Sequence, residues 1–319
     1  MMSQKIILSV VIPAYNAEHT IEKALASVVE RKVLLPIEII IINDGSTDGT
    51  RRICEKYIRE NKTRNTFIRL VNQINAGHGS AINYGVANAR GKYLKILDAD
   101  DYFGQEGYDE YLEFLAKCDS DLVCSDYQEV SGQGEKRIYW HKNKRTFIGR
   151  EYDKVINDTL PYLLPCAAVK LETIQKMWVK IDEKCYYDDQ EFDFSIVQSC
   201  KTVSYFAYPI YCYMVDNLGQ SMSQKNLIKN IKDHQRVVEW VVRHYYDAEL
   251  SESKKSFVFN KILVPLCYSQ YYISIQLKKS RQDFLSFDNF LRSYQDLYSH
   301  DGIAGSRLRL HRFSRGLFI

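Results

Sequence analysis

Leu94-Lys95-Ile96-Leu97-Asp98-Ala99-Asp100-Asp101-Tyr102 is the stretch on which the fold and chemistry of this chain are decided. Tyr93 to Leu97 is short and mostly apolar, the pattern of a strand buried on both faces. It stops abruptly at three carboxylates in four positions, which must be solvated, paired or bound to metal. In an open α/β sheet, ligands sit beyond the carboxyl ends of the strands, so acids placed there lie where chemistry is done. Asp98 and Asp100, two apart, point the same way if the chain stays extended. Together they can hold one hard divalent cation, Mn²⁺ or Mg²⁺, through oxygen. The plain alternative is a solvated turn or a helix N-cap, which suffices for most isolated D-x-D sequences.

Outward from this stretch, strand patterns near 6–12, 37–42, 67–71 and 92–97 alternate with helix patterns near 17–31, 47–60 and 78–89. That alternation predicts a βαβ series, an α/β fold with a mostly parallel Rossmann-like sheet flanked by helices. At 319 residues the chain is long enough for one large domain with an appendage. A net charge of +3 is too near balance to favour nucleic acid as a partner. Eight cysteines with no C-x-x-C pair suit reduced thiols in a cytosol and argue against thiolate metal binding. The apolar run Ile6 to Ile12, closed by Pro13, is too short for a signal peptide or a membrane span, and no other window is long enough to cross a bilayer. A soluble or peripherally attached protein is the expectation.

The first strand ends in Pro13-Ala14-Tyr15-Asn16, where Asn16 can cap the following helix. The second ends in Asn43-Asp44-Gly45-Ser46-Thr47-Asp48-Gly49-Thr50, rich in turn and cap residues. Asp44 is the first charge past that strand and can accept a nucleobase ring N–H, or simply shape the turn. With Ser9 to Ile12 before the first of these loops, Asn75-Ala76-Gly77 with Asn83 and Gly85, Ala89-Arg90-Gly91-Lys92-Tyr93, and Asp98-Ala99-Asp100-Asp101, the first third of the chain resembles a family 2 glycosyltransferase of the bacterial surface-polysaccharide type. The ordered set is far more specific than any one motif. The resemblance implies an inverting, metal-dependent enzyme with a sheet of the glycosyltransferase A type. It implies that Pro13, Ala14, Tyr15 and Asp44 hold the base and that Asp98 and Asp100 hold ribose and metal. Asn16, Gly45, Asn75, Gly77 and Ala99 would complete the donor site. UDP is the default nucleotide. Many relatives carry Ala-Arg-Asn where this chain has Ala81-Ile82-Asn83, so no basic contact is carried over to Ile82. His78, at the start of a helix, can cap or can touch the donor.

A helix near 107–117 and a strand near 121–125 follow, then a hairpin tipped by Gly132 and Gly134. Trp140, Tyr152 and Tyr162 either stack on a sugar or belong to the core. Asp188 and Asp189 precede an amphipathic segment, the start of a helix, where a carboxylate is favoured. An inverting transfer needs one general base, and the resemblance nominates Asp189, with Asp188 as neighbour. A strand pair, 202–207 and 209–215, leads to a loop where Asp216 and Asn217 stand in place of an expected Arg or His. Gln220 and Ser221 are therefore nominated as neutral phosphate contacts.

From 224 the pattern turns helical, with helices near 228–241, 257–277 and 284–298 whose paired tyrosines suit core packing or a contact between copies. The implied division is a nucleotide-sugar transferase domain over 1–223, with donor half 1–101 and acceptor half 102–223, and a helical region over 224–319. The tail 306–319 has four arginines and no acid. As a helix it suits an anionic membrane surface on the inner face of the plasma membrane, or the protein's own acidic surface. The expected activity is transfer of a hexose or N-acetylhexosamine from a UDP-sugar to a hydroxyl of a surface glycan or lipid-linked acceptor. The alternatives are a nucleotidyltransferase, which would want a basic Gly-rich loop after the first strand, and a non-catalytic sugar-binding relative, which would have lost the acids. No G-x-G-x-x-G follows a strand, which excludes a dehydrogenase.

Overall fold

Ile37-Glu38-Ile39-Ile40-Ile41-Ile42 has no polar face to turn to water, and every residue from Ile37 to Asp44 is buried. Such a strand is stable only inside a sheet covered on both sides. The computed structural model describes residues 5–61, 63–134, 136–139, 145–158, 163–215, 223–300, 302–303, 311–312, 314 and 316. In chain order its first elements are β1 (Leu8–Ala14), α1 (Ile21–Val29), β2 (Ile37–Asp44), α2 (Thr50–Glu60), β3 (Thr66–Gln73), α3 (His78–Asn88), β4 (Tyr93–Ile96), β5 (Tyr102–Phe103) and α4 (Tyr108–Lys117). Then come β6 (Leu122–Val130), β7 (Lys136–Tyr139), β8 (Phe147–Glu151), α5 (Tyr152–Val155), β9 (Ala167–Lys170), α6 (Leu171–Met177), α7 (Asp189–Ser199) and β10 (Thr202–Met214).

The strands form one sheet in the order β3-β2-β1-β4-β9-β6-β10-β5, with β7 beside β6 and β8 beside β10. The long ladders, β1 with β2, β2 with β3 and β6 with β10, are parallel, as is β1 with β4. Antiparallel β9 is inserted between β4 and β6. The expected fold class is thus observed. The chain leaves β1 toward β2 and β3, then returns to its other side as β4. The strand order reverses there, and crevices at such points bind ligands. Thr202–Met214 is one long strand with irregular register around Pro209 rather than the two strands expected over 202–207 and 209–215.

Several residues that carry the family resemblance hold the sheet together. Gly85 brings α3 so close to β1 that a Cβ would lie 2.5 Å from Val11 Cγ2. Asn83 makes two bonds to the backbone of Ile181, Nδ2 donating to its carbonyl (2.9 Å) and Oδ1 accepting from its N–H (3.1 Å). Ser9 Oγ donates to buried Glu38 (2.7 Å) and accepts from the N–H of Gly91 (2.8 Å), where a Cβ would lie 2.6 Å from the Ser9 nitrogen. Lys95, fully buried in β4, donates to the carbonyls of Pro165 (2.8 Å) and Ala167 (3.2 Å), and burial lowers its amine to about 8. Tyr152 is core, while Trp140 and Tyr162 lie outside the described residues. All eight cysteines are buried thiols.

The chain forms two compact units, residues 1–184 with 195–217, and 185–194 with 218–319. The second contains α8 (Gln224–Lys229), α9 (Ile231–Asp247), α10 (Glu252–Phe257), α11 (Val264–Tyr272), α12 (Arg281–Leu291) and α13 (Gln295–Ser299). Wider π turns join α10 to α11 and extend α11, at Val258–Leu263 and Ile273–Leu277. From the basic tail, Arg312 docks on the protein itself. Its Nε meets buried Asp288 (3.1 Å), its Nη1 donates to the Tyr298 carbonyl (2.6 Å), and its guanidinium lies 3.7 Å from the centre of the Tyr298 ring. Among the described residues no helix is long and apolar enough to cross a membrane.

Replacing Gly85 by alanine is expected to lower stability by about 1–3 kcal/mol, because overpacking against Val11 outweighs the gain in helix propensity; urea denaturation checks this, and an unchanged midpoint would contradict the close approach. A second expectation concerns His234, buried in the second unit, with Nδ1 2.7 Å from Gln270 Oε1 and the Tyr187 ring edge-on at 5.3 Å. Burial lowers its pKa from 6.5 to about 4, against the raising effect of the Gln270 bond. The folded chain therefore binds fewer protons there than the unfolded one. The stability this site contributes is whole above pH 6.5 and falls as the pH drops toward 4, by about 2 kcal/mol between pH 7 and 5. Unfolding curves at the two pH values should show that loss shrinking in His234→Gln; equal losses in parent and variant would assign it elsewhere.

Candidate active site

The loops after β1 and β2 are held by one another. Asn16 is not the cap of α1, which begins at Ile21 after Thr20. It sits at a φ of 49°, left-handed backbone that asparagine tolerates. Its Oδ1 accepts from the Thr47 N–H (2.8 Å), and its own N–H donates to Ser46 Oγ (3.0 Å). The loop after β1 is thereby fastened to the loop after β2. Ala14 is buried with the strand and Tyr15, next along, is 54% exposed, so an aromatic face stands open at the end of the sheet.

Asp44, at the end of β2, is 4% exposed. Its Oδ1 accepts from Gln73 Nε2 (2.7 Å) and the Ala76 N–H (2.8 Å), and its Oδ2 from the Gly77 N–H (2.8 Å). The carboxylate shapes the loop that carries Asn75 and opens α3. Two glycines are required here. Gly77 caps α3 at a φ of 87°, and Gly45, at 72°, passes so close to Asn75 that a Cβ would lie 2.8 Å from its nitrogen.

The acidic turn follows β4. The Leu97 N–H donates to the Val11 carbonyl (2.9 Å), and the Asp101 N–H closes the turn on the Asp98 carbonyl (3.0 Å). Within it the three carboxylates differ. Asp98 is partly exposed, its Oδ1 3.1 Å from His78 Nε2. Asp100 is exposed, and Ala99 between them is buried. Asp101 is 1% exposed, accepting from the Tyr211 hydroxyl (2.7 Å) and the Met214 N–H (2.7 Å). Burial, followed by the nearby charges of Asp98 and Asp100, holds the Asp101 carboxyl well above the usual carboxylate range. His78 is not the cap of α3, whose N-cap is Gly77; its ring lies against Asp98 of the turn instead. Ile82 is buried, so the position that is basic in many relatives faces the interior here.

These donors suit a cation such as Mg²⁺ or Mn²⁺. Asp98 and Asp100 offer hard oxygen ligands, and their charge is felt by their neighbour. Among the described residues no group of three metal-ligating side chains converges; hard cations that bind substrate phosphates commonly take one or two carboxylates and leave other positions to phosphate and water.

In the second unit Asp188 is 4% exposed, and its carbonyl accepts from the N–H groups of Glu191 (3.1 Å) and Phe192 (3.2 Å). Asp189 is the first residue of α7, partly exposed, with Oδ2 3.1 Å from Gln190 Nε2. Tyr187 before them adopts a φ of 72°, a strained conformation for an aromatic residue. Phe194 of α7 packs edge-on against Trp240 of α9 at 5.9 Å. Gln220 and Ser221 lie outside the described residues.

The sequence profile of glycosyl transferase family 2 matches residues 9–178. An uncharacterised glycosyltransferase of Mycoplasma genitalium, MG060, is 27% identical over 219 residues, covering 68% of this chain and 72% of its own. The poly(ribitol-phosphate) β-N-acetylglucosaminyltransferase TarS of Staphylococcus aureus is 23% identical over 266 residues, 80% of this chain and 43% of its own. The crystal structure of S. aureus TarS 1–349 in complex with UDP-GlcNAc matches with a TM-score of 0.72 at 19% identity, over 97% of this chain and 88% of that one, a likeness of fold. With the profile spanning more than half of the residues and the motif loops gathered at the ends of β1, β2 and β4, the chain belongs to glycosyl transferase family 2.

Proposed function

We propose that this glycosyltransferase moves a hexose or N-acetylhexosamine, N-acetylglucosamine first among them, from a UDP-sugar to a hydroxyl of a bacterial surface glycan or its lipid-linked precursor, with inversion. The observation that carries the reading is the acidic turn at the point where the strand order reverses, beside loops that hold one another and leave Tyr15 exposed. The UDP-GlcNAc bound by TarS supports the choice of uridine and puts N-acetylglucosamine first, and the wall polymer in the name of TarS supports a surface-glycan acceptor.

In this scheme Tyr15 lies against the base, with Pro13, Ala14 and Asn16 shaping that wall. An ionised carboxylate has about four lone-pair sites, so Asp44 can accept a uracil N–H besides its three present bonds. Gly45, Asn75 and Gly77 line the nucleotide. Asp98 and Ala99 border the ribose, and Gln220 and Ser221 contact the diphosphate. Asp100, with Asp98, would hold Mn²⁺ or Mg²⁺, which when bound neutralises charge on the departing diphosphate. Asp189, supported by Asp188, takes the proton of the acceptor hydroxyl as that oxygen bonds to the anomeric carbon and the bond to UDP breaks. Residues 1–223 would carry out the transfer and the helical region 224–319 would support it. The remaining arginines of 306–319 would meet the anionic inner face of the plasma membrane, where a lipid-linked acceptor lies.

Thermal stabilisation by a panel of nucleotide sugars, with and without Mn²⁺, is expected to be greatest for UDP-sugars with Mn²⁺ present; preference for GDP- or dTDP-sugars would contradict the choice of uridine. Asp100→Asn should lose the Mn²⁺-dependent part of that stabilisation. Asp189→Asn should keep it while transfer falls about 10²–10⁴-fold. Turnover by Asp189→Asn within a few-fold of the parent would remove that residue from the role of base.

A further inference from the structure

We propose that the Tyr211 hydroxyl and the Asp101 carboxylate form a buried tether that sets the pose of the acidic turn, making Tyr211 a positioning residue for donor and metal and Asp101 a brace rather than a ligand. The tether grips both ends of the turn. Tyr211 accepts from the Asp98 N–H (3.2 Å) at one end and donates to Asp101 Oδ2 (2.7 Å) at the other. Asp101 Oδ1 accepts from the Met214 N–H (2.7 Å), so the last residues of β10 are fastened to the same turn.

The tether is itself immobilised. Tyr211 is fully buried, pairs with Phe103 across the antiparallel β10–β5 ladder, and has the Phe103 ring edge-on at 6.1 Å. Lys95 Nζ, fixed by two carbonyls, lies 5.7 Å from the centre of the Tyr211 ring. The ring that carries the hydroxyl is therefore packed on several sides. Crowded carboxylates tend to splay apart before a cation arrives, which would spread the turn over many poses. A two-ended tether leaves one, and ligand groups held in place beforehand bind with less reorganisation. Asp100 then stands between two fixed points, the Asp98 N–H and the Asp101 carboxyl.

This inference rests on the donor reading given above, and one experiment separates the two. The parent chain and Tyr211→Phe are melted with a fixed excess of UDP across a Mn²⁺ titration. Phenylalanine keeps the ring and its packing while deleting only the hydroxyl. The expected result is a ligand-free melting temperature within about 5 °C of the parent. The Mn²⁺ concentration giving half of the UDP stabilisation should rise about tenfold, with KM for the UDP-sugar rising more than kcat falls. A variant half-point within twofold of a responsive parent overturns the tether. A parent that ignores UDP and Mn²⁺ together overturns the donor reading beneath it. Should Tyr211→Phe not fold, Asp101→Asn carries the same test, since it keeps the shape of the side chain and an acceptor for Met214 while putting an amide donor where Oδ2 accepts from the Tyr211 hydroxyl.

Discussion

Like charges confined to one turn are the constraint around which this molecule is arranged. Asp98, Asp100 and Asp101 cannot all face the same small volume without repulsion, and the chain assigns each a different environment. Asp101 is buried against Tyr211 and Met214, Asp98 is set beside His78, and Asp100 is turned outward. What remains exposed is a pair of hard oxygen donors at the reversal of strand order, where an α/β sheet receives its ligands.

The loops around that turn are built by the same economy of small groups. Asp44 uses both oxygens to set the Asn75–Gly77 loop, and Asn16 joins the two loops beside it. These are short, directional bonds between residues distant in sequence, each worth about 1 kcal/mol net and more where a buried partner would be stranded. Their common effect is to fix the shape of the wall against which a nucleotide would lie before any ligand is present. Other residues of the same motifs work one layer further in. Gly85 and Asn83 dock α3, and Gly91 and Ser9 close the turn into β4 over Glu38.

The alternation of strand and helix over the first hundred residues was legible because buried parallel strands read as apolar runs, and the observed elements follow it closely. The acids at 98–101 and the glycines with positive φ at 45 and 77 could also be read locally, since a strand end and a forced turn each leave a signature in composition. Tyr211 could not. It lies 110 residues from its partner Asp101, inside a strand that looks like any aromatic, half-apolar strand. Asn16 looked like a cap because caps and loop clasps use the same side chains; its positive φ and its bond to Thr47 are tertiary facts. The π turns in the helical region were equally hidden, for a single wider turn barely alters the apolar spacing. Arg312 shows that a basic tail residue can find its partner on the same chain, in buried Asp288, which charge counting alone leaves open.

The central claim is that the turn after β4 receives the cation that accompanies the donor. Anomalous diffraction at the manganese edge, from crystals of the full chain grown with UDP and Mn²⁺, tests it most directly. The account predicts a single strong peak bounded by the Asp100 carboxylate and the diphosphate, with Asp101 still on Tyr211. A peak held by other residues, with UDP ordered away from the turn, would contradict it.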